Sequence, residues 1–201
     1  MTHMTGPIYT GPADSQVELC DDSGNLYNGG NLVAANESVM APGTGLSTAT
    51  GFVHKVSIER FGSFITTRIY MDITGLNSGG VAGDIIGKDG GTANCHFGQV
   101  TAALNGTIKA GWIDVAEAPT GGDPDINLGA GDEATGAENA ALSGLTNYAA
   151  LCNSGDLAVG TRVYLTAFPS ANQYLYLVVG TQTVADYTAG QIIVTLIGVV
   201  E

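Results

Sequence analysis

Gly51-Phe-Val-His-Lys-Val-Ser-Ile-Glu-Arg-Phe-Gly-Ser-Phe-Ile-Thr-Thr-Arg-Ile-Tyr-Met-Asp-Ile73 alternates with a period of two on both sides of a break at Phe61-Gly62. Phe52, His54, Val56 and Ile58 share one face of the first run, and Val53, Lys55, Ser57 and Glu59 the other. Beyond the break, Ile65, Thr67, Ile69, Met71 and Ile73 alternate with Thr66, Arg68, Tyr70 and Asp72. Two half-buried runs joined by a short glycine-bearing turn predict an antiparallel hairpin. A two-residue loop at 61–62 sets Ile58 opposite Ile65 and Val56 opposite Thr67, which keeps one face apolar. A slip of one residue brings Thr66 and Arg68 onto that face, so burial selects the first register. The same register sets Lys55 against Arg68, unfavourable unless a carboxylate stands nearby.

Strand signals continue outward from this hairpin. Asn105-Gly106, a dipeptide that suits a two-residue turn, predicts a second hairpin with arms Phe97–Leu104 and Thr107–Val115. Thr161–Phe168, Gln173–Val179 and Gln191–Val200 read as further strands. The last is apolar on both faces, as expected of a strand central in its sheet or covered by a neighbouring subunit. The one helix candidate, 137–152, is interrupted by Gly144 and supports at most one or two short turns. Residues 1–50 hold Pro7, Pro12 and Pro42, weak apolar periodicity and no Lys or Arg. They read as an extended arm with one short strand near Leu32–Ala35, either mobile or laid against a partner. The expected fold is all-β: a compact antiparallel β-sandwich or barrel of short strands over 51–201, with an extended N-terminal arm over 1–50.

Composition narrows the function classes. The 201 residues are 44% hydrophobic, enough for a real core, and only 12% charged. Six Lys and Arg against 19 Asp and Glu give a net charge of −13. Nucleic-acid binding needs clustered bases, and an anionic membrane surface would repel this chain, so neither partner is expected. The 30 glycines argue against long helices and read as turn punctuation between short strands. The N-terminus has neither the basic start nor the apolar run of a signal peptide. Cys20, Cys95 and Cys152 are odd in number and form no C-x-x-C pair, so reduced thiols and synthesis in a cytoplasm are expected.

Chemistry-bearing motifs are scarce. No nucleophile elbow, phosphate-binding glycine loop or H-E-x-x-H is present. His54 falls on an apolar strand face and reads as a hydrogen-bonded packing residue. Cys95 and His96 are adjacent, and neighbours on a strand point to opposite faces, so they do not read as nucleophile and base. No catalytic residue and no enzyme activity is therefore expected. The most site-like segment is acidic: from Ala110 to Thr161 there is no Lys or Arg, while eight Asp and Glu fall there. Within it Asp123-Pro-Asp-Ile-Asn127 opens like a calcium loop, then departs from the pattern at Leu128 and Ala134. Asp123, Asp125 and Asn127 are the candidate calcium ligands, against the alternative of a solvated acidic loop capped by its own side chains.

Asp72-Ile-Thr-Gly-Leu-Asn-Ser-Gly-Gly-Val-Ala-Gly-Asp-Ile-Ile-Gly87 and Pro119-Thr-Gly-Gly-Asp-Pro-Asp-Ile126 resemble a family of head decoration (cement) proteins of marine tailed bacteriophages. So does the closing order of Asn153-Ser-Gly-Asp, Phe168-Pro, Tyr174-Leu-Tyr and Tyr187-Thr-Ala-Gly before a last apolar strand. The resemblance covers roughly residues 51–200 and leaves the arm outside it. It implies a mostly β protein, made in the host cytoplasm and bound on the outer surface of the virion head, with no enzymatic residues. The implied partners are the major capsid protein and copies of itself, a homotrimer being the expectation, with the arm and the last strand as contacts. The alternative is a tail-associated or receptor-binding β module recognising a host-surface glycan.

Overall fold

The computed structural model describes residues 8–10, 17–20, 26–28, 31–34 and 40–200 apart from 182. The first four segments are short strands, β1 (Ile8–Thr10), β2 (Val17–Cys20), β3 (Leu26–Asn28) and β4 (Asn31–Ala34), paired antiparallel in chain order. The single strand expected in this stretch near 32–35 is β4. Three more precede it, and the remaining residues up to 39 lie outside the described ones.

The 51–73 alternation forms β5 (Val53–Phe61) and β6 (Phe64–Asp72). Val56, Ile58, Ile65, Ile69 and Met71 are buried, so the face read from the period is the core face. The register, however, is displaced by two residues: Phe61 pairs with Phe64, Ile58 with Thr67 and Val56 with Ile69. The loop is thus Gly62-Ser63, with φ +61° at Gly62 and no positive φ at Ser63, the pattern of a type II′ hairpin turn. A two-residue displacement preserves the buried face. It also moves Lys55 opposite Tyr70 and Arg68 opposite Ser57, and Arg68 lies 3.6 Å from Glu59.

Asn105-Gly106 is not a hairpin turn. Thr101 caps a single helical turn, α2 (Ala102–Asn105), its hydroxyl accepting from the Leu104 N–H at 3.2 Å, and Gly106 follows as the C-cap. Glycine after the last helical residue is as well suited to ending a helix as to turning a hairpin, and the Thr101 cap decides between the two. Phe97 accordingly lies in β7 (His96–Gln99), which pairs with β12 (Tyr174–Val179) and not with β8 (Thr107–Thr120).

Two antiparallel sheets complete the body. The larger has the order β11 (Arg162–Tyr164), β8, β13 (Ala189–Val199), β6, β5, and the smaller β10 (Ala149–Ala150), β9 (Ile126–Gly131), β12, β7. The two-faced apolar run is β13, hydrogen-bonded to β6 on one side and β8 on the other. Ile192, Val194 and Leu196 are buried in one core with Leu128, Leu175 and Leu177 of the smaller sheet. Each such side chain contributes about 1.5–3 kcal/mol by leaving water. His54 links the sheets, its Nε2 2.8 Å from the Phe97 carbonyl it donates to.

Residues 40–50 belong to this body and not to an arm. Met40, Leu46 and Ala49 are buried in the same core, around the single turn α1 (Thr44–Ser47). Residues 137–152 hold one 3-10 turn, Leu142–Gly144, and β10.

Candidate functional site

Asp123 sits in the turn between β8 and β9 and is fully buried. Its Oδ1 accepts from the Asp125 N–H at 2.9 Å, the local bond expected of an Asp followed two residues on by a turn N–H. The remaining bonds come from the β12–β13 connection. Thr181 Oγ1 lies 2.7 Å from both carboxyl oxygens, the Thr183 N–H donates to Oδ2 at 3.2 Å, and Tyr187 donates to the Asp123 carbonyl at 2.8 Å. The Gly180 N–H donates to the Asp125 carbonyl at 2.7 Å. This is a polar clamp between two loops distant in sequence, and not the solvated acidic loop that charge counting suggests.

The three candidate calcium ligands differ in what remains free. Both carboxyl oxygens of Asp123 are engaged as described, and Asn127 Oδ1 accepts from the Ser154 N–H at 2.6 Å. A cation at Asp123 would have to displace these bonds, since each of its carboxyl oxygens already faces two donors. Among the described residues, no three His, Cys, Asp or Glu side chains are grouped to hold a metal ion. Asp125 differs: it is nearly buried and its Oδ1 has no hydrogen-bond partner. Burial first, then the neighbouring Asp123 and Asp156, push its carboxyl above the ordinary aspartate range.

A folded-state value above the unfolded one stabilises the protein below the unfolded value, and that contribution is lost as pH rises through the folded one. An asparagine at this position would not titrate. Asp125→Asn is therefore expected to raise stability at pH 7 by about 1 kcal/mol, the lower end of the cost of an unsatisfied buried group. Thermal melts of both proteins between pH 4 and 7 check this: the gap should widen with pH, and a constant gap would remove Asp125 as its cause.

Cys95 and His96 do not act on each other. The Cys95 thiol is buried, donates to the Thr92 carbonyl at 3.0 Å, and is pushed up to about 11 chiefly by burial. It is a protonated packing residue at neutral pH. The His96 ring lies 4.8 Å from that of Tyr174, and burial holds its protonation below the ordinary histidine range. A cleft of about 400 Å³ beside β9 is lined by Leu128, Leu142, Tyr148, Cys152, Asn153 and Val178 among others, and among the described residues no carboxylate or histidine lines it.

The outward face of the five-stranded sheet is the other place where side chains gather, and the sequence reading missed it as a unit. Because Ile192, Val194 and Leu196 point inward, Ile193, Thr195 and Ile197 point outward. The register aligns Lys55, Tyr70, Ile193, Asp114 and Arg162 in one row across the sheet. The next row is Ser57, Arg68, Thr195, Trp112 and Tyr164. Phe61, Phe64 and Val199 end the face, with Phe61 88% and Phe64 57% exposed.

Within these rows Asp114 accepts from Arg162 Nε at 2.6 Å, from its terminal guanidinium nitrogen at 3.0 Å and from Trp112 Nε1 at 2.8 Å. The guanidinium carbon lies 4.8 Å above the Trp112 ring. Partial burial alone would raise the Asp114 carboxyl; the Arg162 and Trp112 bonds outweigh it and hold it below its ordinary value. The alternation of Trp112 and Asp114 in β8 was the available signal, but it names no partner without β11.

Compared with protein-family models, with curated proteins and with solved structures, the chain matches none.

Proposed function

We propose that the chain is a non-enzymatic decoration protein of a tailed-phage head, binding the major capsid protein on the outside of the shell and stabilising it by bridging neighbouring capsomers. In this reading it also assembles with copies of itself, as a homotrimer. The observation that carries the reading is the outward face of the five-stranded sheet, a broad surface with Trp112, Tyr164, Phe61 and Phe64 accessible on a rigid scaffold. Aromatic side chains on a pre-ordered surface lose little entropy on binding, which suits repeated docking on a lattice. The resemblance of its motif order to that of head decoration proteins supports the same role. As β13 is paired along both edges, its part in any contact is through outward side chains and not through backbone addition.

Full-length protein mixed with empty heads is expected to co-sediment saturably with them and to raise the temperature at which they rupture. Absence of co-sedimentation, together with absence of the chain from purified virions by mass spectrometry, would overturn the reading. Cryo-electron microscopy of the particle separates it from the tail-associated alternative by where the copies lie.

A further inference from the structure

The cleft of about 400 Å³ beside β9 has the size of a small-molecule site and no part in the function proposed above. The buried Leu128, Leu142 and Val178 give it an apolar wall. Among the described residues no Lys, Arg, Asp, Glu or His lines it, in a chain whose net charge is −13. Its polar groups are neutral, among them the amide of Asn127, the phenol of Tyr148 and the hydroxyl of Ser143. Asn127 accepts the Ser154 N–H on Oδ1 at 2.6 Å, which fixes the amide, and its NH2 has no acceptor among the described residues. Tyr148 is 52% exposed, and its hydroxyl likewise has no partner among the described residues. The backbone that presents this ring is anchored on both sides. Before it, Asn147 stands at φ +49°, its Nδ2 donating to Asp132 at 2.7 Å and its carbonyl accepting from Gln173 Nε2 at 2.8 Å. After it, Ala149 and Ala150 pair with β9. The rim is in place before a ligand arrives, which spares binding the cost of ordering it.

We propose that this cleft binds a neutral sugar residue of a glycan. A charged ligand would find no counter-charge in the lining, and an anionic one would also meet the acid excess of the chain. A purely apolar ligand would cover the Asn127 amide and the Tyr148 hydroxyl without replacing their hydrogen bonds to water. A sugar ring meets both demands. Its C–H face packs on an aromatic ring and an apolar wall, while its hydroxyls accept from Asn127 and exchange hydrogen bonds with Tyr148 and Ser143. The lining of the cleft shares no residue with the outward face of the five-stranded sheet, so the inference is independent of the capsid contact proposed above.

Saturation-transfer NMR on the full chain, without capsids, tests it. The neutral probes are glucose, galactose, mannose and N-acetylglucosamine, with N-acetylneuraminate as a charged probe and toluene as an apolar one. With each probe at roughly 5 mM, suited to a Kd of about 1 mM, at least one neutral sugar is expected to receive saturation. Tyr148→Ala removes the ring from an exposed position. Asn127→Asp keeps the acceptor for Ser154 and loses the NH2 donor. Each is expected to weaken that sugar about tenfold or more, the size of one lost polar or stacking contact. Tyr148→Phe keeps the ring and is expected to lose less than Tyr148→Ala. Circular dichroism confirms that each variant is folded; should Asn127→Asp fail to fold, the two Tyr148 variants carry the test. Saturation of no neutral sugar overturns the inference, whatever the charged and apolar probes do. A sugar bound equally by the folded Tyr148→Ala and Asn127→Asp variants overturns the cleft as its site. Either failure leaves the capsid reading standing, because co-sedimentation with heads tests that separately.

Discussion

Asp123→Ala is expected to lower stability by about 3–5 kcal/mol, the range for removing one partner from a buried charged or strongly hydrogen-bonded cluster. In a chain of this size each kcal/mol moves the melting temperature by about 2–4 °C, so the midpoint should fall by roughly 10 °C. The size follows from what is left behind. Without the carboxyl group, the Asp125 and Thr183 N–H groups and the Thr181 hydroxyl all lose the acceptor that a fully buried side chain supplied. A cavity is added to those losses. Asp123→Asn keeps one acceptor oxygen and the volume, and is expected to recover much of the difference. Thermal melts of the three proteins check the order. If Asp123→Ala melts with the wild type, the two loops are held by something other than this clamp.

That clamp was not legible in the sequence, and the reason is its range. Asp123 and Thr181 are 58 residues apart, and nothing local to either distinguishes a buried acceptor from a capped surface turn. Period-two burial, by contrast, is a local signal. It revealed the core face of β5 and β6 directly, and it left the two-faced β13 either central or covered by a neighbouring subunit, a choice that its pairing with both β6 and β8 makes. It could not set the β5–β6 register, because displacements by two residues bury the same side chains; turn geometry at Gly62-Ser63 made that choice. Asn105-Gly106 misled for a related reason, one dipeptide serving two kinds of chain reversal. Met40, Leu46 and Ala49 were hidden because a single helical turn gives too short a run for periodicity to show. The outward sheet face needs five strands in order before Lys55, Arg68 and Arg162 fall on one surface, and strand order is not written in any one of them.

Glycine is more than turn punctuation in this chain, and one position makes a second large effect. Gly198 lies inside the central strand β13, at an irregularity in its pairing with β8, and its φ is not positive. A Cβ there would overlap the Asn105 carbonyl oxygen and lie 2.8 Å from the carbonyl carbon. The obstacle is backbone, so no rotamer change relieves it. Nor can Asn105 retreat easily. It is fully buried, its Oδ1 accepts from the Thr101 N–H at 2.9 Å, and its Nδ2 donates to Thr67 Oγ1 at 2.9 Å. These bonds also explain how Thr67, a polar residue, occupies the core face of β6. Overpacking of this kind costs typically about 1–3 kcal/mol and more where rigid backbone must move. Gly198→Ala is therefore expected to lose about 3 kcal/mol, seen as a melting point lower by roughly 10 °C. Gly62→Ala provides the contrast: a Cβ there meets nothing within 4 Å, and only its φ of +61° is unfavourable. Its loss is expected to be nearer 1 kcal/mol, the lower end for a non-glycine residue held at positive φ. Equal losses at the two positions would mean that glycine serves this fold through backbone freedom alone; a larger loss at Gly198 assigns part of the glycine content to the close packing of α2 on the central strand.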